Sequence, residues 1–238
     1  KEGQLELAYD KIVRFRDKNK VLLLKSRSIV LYADILYKRG SVKFIKKAIS
    51  LLTKSINRSE INRDDLLQAY ELLTQLYLKI NKIDDAKYYA VTIDKVFDDP
   101  LPKAYGKIEL AKIYMHKKEY RATIKILYKI LVQTNNMEVA TVVADVLFDA
   151  YMLNKQRDKA YDLVDKVLNK NIQYYANDSF KAMRKIDKLL KANMPEFAIK
   201  ILNKLIENAT KPVSVNRFKF KLANMYMQIA GQNLNTLK

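Results

Sequence analysis

The chain of 238 residues has no cysteine, which excludes a disulfide framework and any thiolate metal site. That absence does not choose a compartment. Glycine and proline number only four each, too few for a β architecture of many tight turns. The glycines are Gly3, Gly40, Gly106 and Gly231, so there is no GxGxxG and no P-loop to cradle phosphate. No apolar run approaches the roughly 18 residues that span a bilayer. His116 is the only histidine, leaving one residue to serve any Ser-His-Asp arrangement. The expectation is a chain without catalysis, cofactor or resident metal.

What is present favours helix. Nearly half the residues are apolar (49%), too ordered a composition for a disordered chain, and Leu, Ala, Lys and Glu favour helix. The stretch from Ala104 to Leu131 shows the plan: two short amphipathic helices separated by a polar turn, His116 to Glu119. Leu110, Ala111 and Tyr114 form one apolar stripe, and Tyr120, Ile124, Leu127 and Leu131 the other. Neither helix can bury its stripe alone, so the unit needs neighbours.

The chain supplies them by repetition. A small-residue position in the second helix recurs at Ala8, Ile45, Ala86, Thr123, Ala160 and Ala198, stepping by 37, 41, 37, 37 and 38 residues. A large first-helix position recurs at Leu36, Tyr77, Tyr114, Tyr151, Leu189 and Tyr226, with steps of 41, 37, 37, 38 and 37. The four-residue excess falls in the polar stretch Ser55–Asp64, which predicts a longer loop or an extra helical turn. Alanine lets two helices cross closely, while a tyrosine fills the space between hairpins with its hydroxyl at the wet edge. Ala33, Thr74, Ala111 and Ala223 give a second close-contact column. Phe148 and Ile186 interrupt it, which predicts wider spacing there. Pro100 and Pro212 each stand just before a first helix, where proline costs no helical hydrogen bond.

The pattern resembles the tetratricopeptide repeat, with Leu110-Ala111, Tyr114, Thr123 and Leu127 at family positions. Leu73-Thr74, Tyr77 and Ala86 match similarly, as do Leu222-Ala223 and Tyr226. The period is about three residues longer than the family's 34; the longer Sel1-like repeats are the alternative resemblance, and this chain lacks their signature glycines. The resemblance implies an all-α, right-handed α-solenoid of about twelve helices that binds protein. Residues 1–238 then read as one segment with a lone second helix over 5–18, placing Gly3 in a turn. Repeats follow over about 20–56, 62–97, 102–133, 136–170 and 174–208, then a terminal first helix over 213–229. Neither end has a polar capping element, and Lys1 is not preceded by Met or a signal peptide. The expectation is a segment cut from a longer repeat protein.

In this family the first helices line the concave face, which places the residue after each large position in a groove. That column holds Tyr37, Leu78, Met115, Met152, Leu190 and Met227. A second inward column, seven residues earlier, holds Val30, Glu71, Ile108, Asp145, Met183 and Phe220. The candidate partner-binding set is Tyr37, Leu78, Met115, Met152, Met183, Leu190, Phe220 and Met227. Methionine adapts to apolar partners, and such surfaces take helices or extended peptides. Filling of the groove by the chain itself is the competing reading. Gln75, Lys112, Asp149 and Asp187 stand where a carboxylate-clamping relative has Asn, which disfavours binding of C-terminal tails.

The carboxylate pairs Asp64-Asp65, Asp84-Asp85 and Asp98-Asp99 sit at helix starts, where aspartate caps and favours the dipole. His116 reads as a solvated residue at a helix end. The net charge is +19, and residues 166–238 hold 14 basic and 4 acidic side chains. A basic surface suits an acidic protein, anionic lipid or nucleic acid. Only 10 of the 45 basic residues are Arg, and the lysines are scattered without an aromatic cluster, which disfavours nucleic acid.

Three roles follow. The long period and the Lys/Asn/Tyr-rich composition resemble periplasmic scaffold proteins of the bacterial flagellar motor, the paralysed-flagellum repeat type. That resemblance implies other motor scaffold proteins as partners and the periplasm as location, with the cytoplasm as the alternative. A peptide-sensing regulator would need a DNA-binding head, and no helix-turn-helix is visible. The third role is a basic helical repeat protein associated with nucleic acid.

Overall fold

The computed structural model describes residues 2–18 and 22–236. The expected start of the first full repeat near residue 20 lies outside them. Twelve α-helices and no strand occur among the described residues, so the all-α expectation holds. In chain order they are α1 (Glu2–Lys18), α2 (Leu22–Arg39), α3 (Val42–Asn57), α4 (Arg63–Lys79), α5 (Ile83–Val96) and α6 (Pro100–His116). Then come α7 (Tyr120–Gln133), α8 (Met137–Leu153), α9 (Arg157–Ala176), α10 (Ser179–Lys191), α11 (Pro195–Asn208) and α12 (Pro212–Thr236). Gly3 lies inside the first turn of α1, not in a turn before it. Pro100 and Pro212 each open a helix.

One backbone device makes the hairpins. The first helices end on a residue with positive φ: Gly40, Asn81, Lys118, Lys155 and Asn193. From Asn81 on, the N–H of the next residue reaches back to the carbonyl of the large column residue: Lys82 to Tyr77, Glu119 to Tyr114, Gln156 to Tyr151, Met194 to Leu189. These bonds satisfy orphan carbonyls at the helix end, as a Schellman turn does. The second helices start next, each within three residues. The four-residue excess is used both ways: α3 runs on to Asn57, and a linker then carries Ile61 into the core before Asn62 caps α4.

The contacts divide the chain into two compact units, Lys1–Ile126 and Leu127–Lys238. Each is a stack of helical hairpins. In the first unit α2 packs on α3 and α4, and α4 on α5 and α6. The small columns permit this: Ala33, Thr74 and Ala111, and facing them Ile45, Ala86 and Thr123, are all buried. Thr123 Oγ1 donates to the Ala111 and Glu119 carbonyls, at 3.3 and 3.1 Å, so its hydroxyl is satisfied in the core. Tyr77 stacks on Tyr89 at 5.6 Å, filling the gap between helices as the column requires. At Gly106 two helices approach closely: a Cβ there would meet the Ala90 carbonyl oxygen at 3.1 Å. Each buried Leu or Ile contributes about 1.5–3 kcal/mol.

In the second unit α9 packs on α8, α10 and α11, and α11 on α10 and α12. Phe148 and Ile186 are buried where the first unit has small residues. Accordingly, among the described residues α8 and α10 make no close backbone contact, unlike α2 and α4. The helix α9 breaks at Asn171, whose amide nitrogen donates to Thr141 Oγ1, and the short turn that follows buries Tyr175.

Candidate functional site

The first-helix face of each unit is where the sequence places its binding residues. In the first unit Tyr37 lies on α2, Leu78 on α4 and Met115 on α6, all half-buried. Tyr37 and Leu78 rest their inner sides on the core clusters. In the second unit Met152 lies on α8, and Met183 and Leu190 on α10, again half-buried. Phe220 and Met227 on α12 are largely exposed. The second inward column is not a uniform lining. Val30 and Ile108 are fully buried, Glu71 is half-buried, and Asp145 is engaged in hydrogen bonds. Val30 and Ile108 are sealed because the small columns draw α2, α4 and α6 together.

A seam of polar bridges ties successive first helices, and the sequence reading missed it. Between α2 and α4, Asp65 is buried and accepts from Ser26 Oγ at 2.6 Å and Arg27 Nη1 at 3.0 Å. Between α4 and α6, Gln75 Nε2 donates to Glu109 Oε1 at 3.4 Å. Between α8 and α10, Lys185 donates to Asp145 and Lys188 to Asp149. Between α10 and α12, Lys221 donates to Asp187 at 2.9 Å. The signal was available as complementary polar residues about one repeat apart, the donor first at Arg27 and Gln75 and the acid first at Asp145, Asp149 and Asp187. Asp149 and Asp187, which stand at the clamp position, are thus spent on neighbouring helices.

The most unusual electrostatics lie on α4 and α6. Glu109 is fully buried; its Oε1 accepts from Lys112 and its Oε2 has no hydrogen-bond partner. Burial pushes the Glu71 carboxyl up to about 7, helped by the charge of Glu109 and opposed by Lys112. Burial draws the Lys112 ammonium down, but the adjoining Glu109 outweighs it and holds it above the usual lysine value. In the second unit, burial and the Asp145 carboxylate push the Tyr175 hydroxyl strongly upward.

Other sequence candidates resolve structurally. His116 ends α6, exposed, with Nε2 3.1 Å from Asn81 Oδ1. The aspartate pairs do not cap by side chain as expected. Asn62, Asn136, Asp178 and Ser41 do that. Asp64-Asp65 and Asp84-Asp85 sit in first turns, and Asp99 is an N-cap residue without a side-chain bond. Asn62 already occupies the cap before Asp64-Asp65, and Lys82 the cap position before Asp84-Asp85. Among the described residues no group of three or more His, Asp or Glu is placed to hold a metal ion. No described helix is long and apolar enough to cross a membrane.

With this geometry in place, the chain can be set beside known proteins. Its backbone is similar to one in the crystal structure of the APC/C hetero-tetramer Cut9–Hcn1. The likeness has 18% identity and a TM-score of 0.45, over 83% of this chain and 35% of that one. The chain therefore spans about a third of that chain's length. No protein-family model and no curated protein matches the sequence.

Proposed function

We propose that this chain is a non-enzymatic scaffold that binds another protein along its first-helix face. One observation carries the reading. Leu78 and Met115 lie one repeat apart on α4 and α6, which pack closely, and both stay half-exposed. A strip of apolar side chains with adaptable methionine suits a helix or an extended segment. Tyr37, Met152, Leu190 and Met227 belong to the same repeat column, and Met183 and Phe220 to the column seven residues earlier. The test is recovery of partners from the native cell, with Met115→Glu/Met152→Glu as the control. A discrete partner held by the native chain and lost from an equally helical variant supports the reading. Retention of every partner by the variant overturns it.

The finer placement is a structural part of a bacterial flagellar motor in the periplasm. Its support is the resemblance in repeat length and Lys/Asn/Tyr-rich composition. A fluorescent fusion gathered at flagellar bases agrees with that placement, and a diffuse cytoplasmic signal removes it.

A further inference from the structure

Leu72 on α4 and Val146 on α8 occupy one repeat position, and both are buried. On α6, between them in the chain, the same position is Glu109, which has no exposure at all. A carboxylate in a core position is costly unless its hydrogen bonds are made. Its two donors, Gln75 Nε2 from α4 and Lys112 Nζ from α6, both go to Oε1. No described protein group donates to Oε2. The carboxylate therefore lies between α4 and α6 with one oxygen bare.

A second carboxylate adjoins it. Glu71 of α4 is half-buried on the first-helix face, close enough that Glu109 repels its charge and Lys112 attracts it. One ammonium thus serves two acids. Along α4, Gln75 and Leu78 follow Glu71 on the same face at about one and two turns. Along α6, Met115 follows Lys112 by one turn. Glu71 consequently ends the apolar strip of Leu78 and Met115, roughly 10 Å along the helix from Leu78. In a chain of net charge +19, this is a local reversal of sign.

We propose that the Glu71–Glu109 pair receives the ammonium or guanidinium of a lysine or arginine on the bound protein segment, whose apolar side chains rest on Leu78 and Met115. That assignment rests on the first-helix face being the binding surface. The cation supplies a donor to Glu109 Oε2 and brings the site to two bases for two acids, and charge-assisted bonds in a shielded place are strong ones. The Lys112 side chain, on its flexible stem, shifts to admit it. Burial keeps Glu71 protonated up to about pH 7, so entry of the cation ionises it and its proton leaves to solvent. Glu109 and Lys112 face it from α6, and Tyr37 of α2 bears on the Lys112 charge. The helices α3 and α5, packed on α4, bury no charged side chain.

Selection of a displayed library of short random peptides on the native chain at pH 8 tests it. Enriched peptides carry a lysine or arginine beside leucine, methionine or phenylalanine, although the net charge repels basic peptides in general. A synthetic peptide from that set binds about tenfold more tightly at pH 8 than at pH 6, as the ionised share of Glu71 rises. Replacing its cation by glutamine weakens binding to the native chain. Glu71→Gln, which keeps the shape and helicity, loses the pH dependence and no longer separates the two peptides. A pH dependence that survives in Glu71→Gln belongs to His116 and overturns the proposal. So does a library that yields no binder. Peptides weakened by Met115→Ser that carry no cation, or that bind Glu71→Gln as they bind the native chain, overturn the cation site and leave the first-helix face standing. Peptides indifferent to Met115→Ser overturn the face and the site together.

Discussion

Lys185 Nζ donates to Asp145 Oδ1 at 2.8 Å, the same oxygen that the Tyr175 hydroxyl reaches at 2.6 Å. Three elements meet at one carboxylate: α8, the turn after the break in α9, and α10. Lys185 also lies 4.3 Å from the centre of the Phe148 ring. Long side chains thus do in the second unit what close backbone contact does in the first.

The two partners of that pair are unequal. The Lys185 side chain is 6% exposed and that of Asp145 is 33%. Asp145→Ala strands a buried ammonium and should cost on the order of 3 kcal/mol. Lys185→Met leaves a carboxylate that still has water and Tyr175, at a cost of about 1 kcal/mol. Urea unfolding of both variants measures the asymmetry, and equal losses would contradict the geometry.

Glu71 should make stability fall as pH rises. Its folded pKa of about 7 lies above the ordinary carboxyl value of 4.5, so the native state keeps a proton that the unfolded chain releases between them. Stability from this group is fully present below about pH 4.5 and is lost as pH rises through 7. Glu71→Gln should flatten that slope and stabilise the chain by about 1–2 kcal/mol at pH 8, read by thermal melts across the pH range. An unchanged slope would show that the carboxyl is solvated.

The large column is graded in cost. From sequence, Tyr114→Ala is expected to open a cavity costing on the order of 3 kcal/mol. The structure leaves Tyr114 half-buried and Tyr151 buried, while Tyr226 is largely exposed. Tyr151→Ala should therefore cost about 3–4 kcal/mol, Tyr114→Ala about 2 and Tyr226→Ala less than about 0.5. Denaturant midpoints rank the three.

Backbone conformation gives a paired prediction. Lys118 and Lys155 hold φ of 64° and 59°, a region open to glycine at no cost. Lys118→Gly or Lys155→Gly should stabilise by about 0.5–1 kcal/mol. Gly106→Ala should do the reverse despite the better helix propensity of alanine. The new Cβ meets a main-chain carbonyl that moves only with the whole of α5. A net loss of about 1 kcal/mol is expected, checked by circular dichroism melts.

The repeat was readable because packing writes it in residue size. Ala86, Ala160 and Ala198 are small where helices cross, and all are buried. Tyr151 and Leu189 are large between hairpins and are buried too. The wider spacing around Phe148 and Ile186 followed from the same rule. The polar seam was not readable by apolar periodicity, because Asp145 and Lys185 stand 40 residues apart and neither marks an amphipathic stripe. Nor did the aspartate pairs announce that Asp65 would be buried against Ser26 and Arg27. The pattern assigned them to caps, and tertiary partners decided otherwise. Val30 and Ile108 shared a column with exposed residues, and only the closeness of neighbouring helices separated them.

The turns after the first helices close through main-chain bonds from residues as different as asparagine and lysine. Direction of travel is consequently enforced by atoms that every amino acid possesses. Mutation at these corners can exchange one side chain for another without bending the hairpin, so a lineage of such chains is free to rewrite its outer surface for new companions while its pitch stays the same.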